Sequence, residues 1–265
     1  MRRFIPFLKS GPLVAVIRLQ GMIASGGRGA ALNDVGMAPL IERAFRKGKP
    51  SAIALVINSP GGSPAQSSLI AARIRRLAEE HKVPVHAFVE DVAASGGYWL
   101  AVAADDIWVD RNSIVGSIGV ISASFGFDEF IARHGVSRRV YTAGKSKSML
   151  DPFQPEKDED ITRLKDLQEQ IHATFIDHVR DRRGDRLADE DLFTGDIWVG
   201  DKAREVGLVD GIGHVVPKMK ELYGDKVRFA AYQVRRPLLS RLGAAAIDQA
   251  VHAVEERAVY ARFGL

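Results

Sequence analysis

The 265-residue sequence contains no cysteine. Disulfides and thiolate metal sites are therefore excluded, and the redox compartment stays open. Long apolar runs are also missing. The start, "MRRFIPFLKSGPLVAVIRLQG", puts basic residues before apolar ones, but Pro6, Lys9 and Pro12 interrupt it. That is well short of the about 17–25 apolar residues a spanning helix needs. A long apolar segment with a small-residue cleavage site, the mark of a secretory signal, is absent too. Residues 1–12 are read as a stub able to touch a membrane peripherally. The chain is expected to be soluble, cytoplasmic or peripherally membrane-associated, with no transmembrane segment. Charge of one sign is in short supply: 37 Lys and Arg against 33 Asp and Glu leave a formal net charge of +4. The basic clusters at 73–76, 138–139, 180–186 and 235–236 are scattered among acids, so no nucleic-acid partner is implied.

What the sequence does have is alternation. "LVAVIRLQG" (13–21), "SAIALVINSPGG" (51–62) and "VPVHAFVED" (83–91) read as strands. The second is a continuous β-branched run, as a buried parallel strand requires. Between them, 37–47 and 67–80 have helical apolar spacing, with stripes at Leu40, Ile41, Ala44 and Phe45, and at Leu69, Ile70, Ile74 and Leu77. A helix follows at 96–104, a short strand at 106–110 and a glycine-punctuated strand or loop at 115–123. Beyond these come a helix at 128–135, a strand at 137–143, a long helix at 156–183 and a helix at 215–223. The pattern predicts an α/β fold with a largely parallel sheet flanked by helices. One domain covers 13–232. After a Pro break, 233–265 forms an amphipathic tail helix with Ile247, Val251, Val254 and Ala258 at helical spacing. Docking on this or a neighbouring subunit is favoured for it over a membrane surface.

Ligands of open α/β sheets bind beyond the carboxyl ends of strands. Two loops meet that condition, "NSPGG" (58–62) and "AASGG" (93–97). The first offers glycine N–H groups that could hold a developing oxyanion. The second sets Ser95 at a strand-to-helix turn, where a nucleophile elbow would put it, although Ala93 departs from G-x-S-x-G. Singly, the loops read as an ordinary turn and an N-cap serine. Together, on successive strands of one sheet, they favour a site. A serine nucleophile needs a base. None of His81, His86, His134, His172, His178, His214 and His252 lies in a glycine-rich loop beside an orienting acid, and each reads as a surface or helix-face residue. The other base able to activate serine is a lysine, and "YTAGKSKSMLDP" (141–152) offers Lys145 and Lys147.

With these residues in view, the sequence resembles the signal peptide peptidase A family, the serine–lysine proteases of bacteria and plastids, in its single-domain form. "NSPGG", "AASGGYW", "GSIGV", "AGKSKSMLDP" and "FTGDIWVGDKAREVGLVDGIG" occur in the family's order and spacing across about residues 13–225. The resemblance implies a Clp/crotonase-like fold and a serine endopeptidase acting on extended peptides, such as signal-peptide remnants. It implies Ser95 as nucleophile and Lys147, five residues before Pro152, as general base. Ser117 in "GSIGV" matches the serine that orients the lysine, and the N–H groups of Gly62 and Gly96 match the oxyanion hole. It implies no cofactor and no metal. Single-domain members form ring-like homo-oligomers, so an octamer with active sites shared between subunits is expected.

Three rivals stand beside this reading. A Clp-type Ser-His-Asp peptidase needs a histidine shortly after the serine, but none occurs between 96 and 133. A crotonase-type acyl-CoA enzyme shares the oxyanion logic without needing Ser95 or Lys147. A catalytically inactive peptide-binding or membrane scaffold would have no use for the intact Ser95, Lys147 and Ser117.

Overall fold

Strand β2 (Ala52–Ser59) is buried at every position, which explains why its sequence never alternates. It lies between β1 (Leu13–Gln20) and β3 (Val85–Ala94), parallel to both. The computed structural model describes residues 11–25, 31–233, 254 and 257–265. Its sheet has eight strands, in the order β6-β5-β3-β2-β1-β8, with β4 and β7 branching from β3. The first half of β3 pairs with β4 (Asp106–Val109) and its second half with β5 (Ile114–Gly116). Strand β7 (Gly211–Ile212) extends β4, and β8 (Arg228–Tyr232) closes the β1 edge. Every pairing is parallel except β5 with β6 (Ile197–Val199). The fold is therefore α/β with a mixed, mostly parallel sheet flanked by helices.

Helix α1 (Asp34–Arg46) starts on Asn33, whose side chain accepts from the Gly36 N–H at 2.8 Å. It buries Met37, Ile41, Ala44 and Phe45. Helix α2 (Pro64–His81) starts on Ser63 with proline in its first turn, and buries Ile70, Ala71, Ile74 and Leu77. The expected stripes are thus rotated slightly. Met37 takes the place of Leu40 in the core, and Leu69 is half exposed. Asp34 accepts two hydrogen bonds from Arg73, at 2.7 and 2.8 Å, tying α1 to α2. The Arg73 hydrogen bonds hold the Asp34 carboxyl below its usual value against the opposing effect of burial.

The chain divides into two compact units, one made of residues 1–118 and 177–265, the other of 119–176. The first holds the sheet, α1, α2, α3 (Gly96–Ala101), α6 (Gly200–Glu205) and α7 (Val215–Tyr223). The second holds α4 (Asp128–Arg133) and most of α5 (Asp158–Arg183). No strand forms between 119 and 176, so the strand expected at 137–143 is absent. Its alternating residues are almost all exposed, and strand propensity counts only where a pleated, half-buried surface receives it. Strand β8 escaped the sequence reading because five residues carry little periodicity. The expected stub at 1–12 and tail at 233–265 lie largely outside the described residues. Within the tail, 257–261 is helical, and the Tyr260 hydroxyl donates to the Asn58 carbonyl at 2.8 Å.

One buried charge ties the first unit together. Arg183 is 3% exposed. It donates to the Gly207 carbonyl at 2.8 and 2.9 Å and to Asp210 at 2.7 Å, while Asp210 also accepts from the Ile107 N–H. Removing Arg183 takes away the buried partner of Asp210, leaving that carboxylate only the longer ion pair with Arg186 at 3.3 Å, and takes both donors from the Gly207 carbonyl. Arg183→Ala is expected to destabilise the protein by about 3–5 kcal/mol, read as a lowered urea midpoint. A midpoint unchanged from wild type would show that the pair carries no stability.

Candidate active site

The carboxyl ends of β2, β3 and β5 converge on Ser95. β3 pairs with β5 in the register Ala94 with Gly116, so the next residues along, Ser95 and Ser117, are neighbours at the strand ends. The Ser95 N–H donates to the Gly116 carbonyl at 2.8 Å, and the Ser117 N–H donates to the Asp196 carbonyl at 2.6 Å. Both serines are held at φ 51°. A non-glycine residue adopts this left-handed region only where its surroundings over-determine it, and such outliers cluster at functional turns. Ser95 sits where strand gives way to helix, at the N-cap of α3, yet its side chain caps nothing. Among the described residues its hydroxyl makes no hydrogen bond. The simple reading of Ser95 as a capping serine therefore fails.

Gly62 and Gly96 close around this turn. A Cβ on Gly96 would lie 2.4 Å from the Ser67 hydroxyl and 3.4 Å from the Gly62 nitrogen. At Gly62, φ is 139°, and a Cβ there would lie 2.0 Å from the Ile23 carbonyl. Ile23 runs beside the loop, donating to the Gly61 carbonyl at 2.8 Å and accepting from the Ser63 N–H at 2.7 Å. Those bonds leave the Gly62 N–H facing the other way. Among the described residues neither the Gly62 nor the Gly96 N–H donates to a protein acceptor. Two uncommitted donors thus lie beside a serine hydroxyl that is also uncommitted. The small residues serve tight backbone packing around the two donors.

The structure brings Ser95, Ser117, Gly62 and Gly96 together in the first unit. Lys147 belongs to the second. It is exposed, in a run of turns over 144–151 where its N–H donates to the Gly144 carbonyl at 3.2 Å. The two lysines of this segment differ. Lys145 pairs with Glu159 at 3.3 Å, whereas Lys147 forms no ion pair among the described residues.

Sequence reasoning passed over the support behind the turn. Tyr98, fully buried, donates its hydroxyl to the Leu208 carbonyl at 2.7 Å, and burial holds its phenol protonated far above the usual range. His178 on α5 stacks on the Trp99 indole, with centroids 5.1 Å apart. Its Nε2 lies 3.2 Å from the Trp99 carbonyl. Burial lowers its pKa, against the carbonyl's opposing pull. His86 is 6% exposed, held between Asp106 at 2.9 Å and Tyr223 at 2.8 Å. His86, buried on strand β3, is therefore neither a surface nor a helix-face residue, while His178 lies on a helix face turned onto Trp99. Neither is signalled by sequence spacing, because their partners lie far along the chain.

The profile of Peptidase family S49 matches residues 78–226, more than half of the chain. The chain belongs to that family. It is 48% identical over 286 aligned positions to the Na(+)/H(+) antiporter NhaA of Brucella melitensis, covering all of this chain and 39% of that one. It is 32% identical to the chloroplastic serine protease SPPA of Arabidopsis thaliana, covering 76% of this chain and 30% of that one. The chain thus spans less than half the length of these relatives. Among solved structures, the 1510-N membrane-bound stomatin-specific protease, as a lysine-to-alanine variant in complex with a substrate peptide, has the same fold. Its TM-score is 0.52 at 13% identity, over 92% of this chain and 99% of that one. Among the described residues no helix is long and apolar enough to cross a membrane.

Proposed function

We propose that this chain is a serine endopeptidase that hydrolyses extended peptides, signal-peptide remnants or other unfolded segments, with Ser95 as nucleophile and Lys147 as general base. The observation that carries this reading is the Ser95 turn: a strained backbone whose hydroxyl makes no hydrogen bond among the described residues, beside two N–H donors without an acceptor among them, in a chain of a peptidase family. The neutral Lys147 amine takes the Ser95 proton as Oγ attacks the scissile carbonyl. The N–H groups of Gly62 and Gly96 receive the oxyanion. The resulting ammonium gives its proton to the departing amine, and water then releases the acyl group. Ser117, beside Ser95 at the strand ends, orients the lysine. Lys147 suits the base role better than Lys145, whose amine is engaged by Glu159.

The reading extends to a Clp/crotonase-like topology, a peptidase domain over 13–232 and a homo-oligomer whose subunits share active sites. Exposed apolar side chains between 119 and 176 support the oligomer. Ile121, Phe125, Phe130 and Tyr141 are each at least 60% exposed, apolar surface that a neighbouring subunit would cover. The test is a fluorophosphonate probe together with a pair of substrates. The probe should label Ser95, and an unstructured peptide with small or apolar residues at the cleavage point should be cut while a rigid folded protein is spared. Labelling elsewhere, or efficient cleavage of a folded substrate with no unstructured segment, would overturn the proposal.

A further inference from the structure

The Ser95 turn is held from behind by a helix that carries none of the groups assigned to the chemistry. Helix α3 has six residues, too few to be stable alone. Its first turn carries the Gly96 N–H, and the Trp99 N–H donates back to the Ser95 carbonyl at 3.0 Å. Trp99 is therefore one hydrogen bond from the backbone of Ser95. The far end of α3 tightens: Val102 donates to Tyr98 at 3.0 Å and Ala103 to Leu100 at 3.2 Å. The Trp99 carbonyl lies at this end of α3, and the last carbonyls of a helix look to partners outside it.

His178 is one such partner. A carbonyl only accepts, so Nε2 carries the hydrogen and the ring stacks on the indole of the same residue. One turn further along α5, Arg182 donates to the Val102 and Ala104 carbonyls at 3.0 and 2.7 Å. The charged groups facing His178 are Asp181 and Arg182 of its own helix, and α3 presents only the indole and the carbonyl.

We propose that His178 is a positioning residue: through Trp99 it fixes α3, and with it the rotamer space of Ser95 and the aim of the Gly96 N–H. This rests on the reading of Ser95 as the nucleophile. A group set about an ångström off its productive place can cost on the order of 100-fold in rate. Removal of the clamp should therefore lower kcat and leave KM nearly alone, because peptide binding does not pass through Trp99.

The experiment uses the full chain and three substitutions. His178→Ala removes ring and donor, His178→Phe keeps a ring without a donor, and His178→Gln keeps a donor without a ring. For each, kcat and KM on an extended peptide and the second-order rate of fluorophosphonate labelling at Ser95 are measured, normalised to the folded fraction. His178→Ala and His178→Phe should lose roughly 10- to 100-fold in kcat and in labelling rate, with KM within about twofold of wild type. His178→Gln should recover most of both. If His178→Ala does not fold, the Phe and Gln pair decides. Wild-type labelling by His178→Phe, no recovery in His178→Gln, or a change in KM with kcat intact overturns the proposal. Failure of Phe or Gln to fold does the same, since His178 would then be purely structural. If the wild-type protein itself is not labelled at Ser95, the nucleophile assignment has failed instead, and the positioning role falls with it.

Discussion

Ser95→Ala is expected to abolish peptide hydrolysis while the protein keeps its fold and melting temperature. Removing the nucleophile of a unit that acts together costs on the order of a million-fold in turnover. Stability should barely move, for a structural reason. The Ser95 hydroxyl caps no helix end and makes no hydrogen bond among the described residues, so its loss leaves no buried group unpaired. The turn itself is set by backbone: the Ser95 N–H on Gly116, its carbonyl on Trp99, and Gly62 and Gly96 packed alongside. An alanine meets the φ of 51° at similar cost. The readouts are turnover of an extended peptide and the thermal midpoint of the same sample. Near-normal turnover by a pure sample would refute Ser95 as nucleophile. Loss of turnover with a midpoint lowered by many degrees would make Ser95 a structural residue.

The parts legible in the sequence are those whose cause is local. β2 announced itself because burial on both faces demands an unbroken apolar run, and α2 because Ile70, Ile74 and Leu77 recur at helical spacing, although its start at Pro64 lies three residues before the expected one. The two glycine-bearing loops were legible as ends of parallel strands. The parts that were not legible have causes distant in the chain. The expected strand at 137–143 had suitable residues but no partner strand. β8 exists because β1 offers it an edge, not because "RFAAY" alternates. That Ser117 stands beside Ser95 follows from the β3–β5 register, which no spacing reveals. His178 reaches Trp99 across 79 residues, so a lone histidine on a polar helix face read as solvated. Residue type alone did not separate Lys145 from Lys147; the resemblance favoured Lys147, and the ion pair of Lys145 with Glu159 is a difference that no spacing reveals.

Lys147 carries the second large effect. Lys147→Ala should be inactive, and Lys147→Arg equally so, because a guanidinium stays protonated near neutral pH and cannot accept the serine proton. Lys145→Ala should keep substantial activity, since it loses only an exposed ion pair with Glu159, a contact worth little. Essential Lys145 with dispensable Lys147 would reverse the assignment. The same variants address whether subunits share sites. Lys147 is exposed in the single chain. Contact with a neighbouring subunit would strip water from it and favour the neutral amine, keeping a free subunit harmless. If serine and lysine come from different subunits, Ser95→Ala and Lys147→Ala chains dissociated and reassembled together should regain activity that neither has alone. In a random, equal mixture about one quarter of head-to-tail contacts would pair an intact serine with an intact lysine. Activity near a quarter of wild type is the expected result. Verified mixed oligomers that stay inactive would mean that both groups come from one chain, and the shared-site proposal would fail.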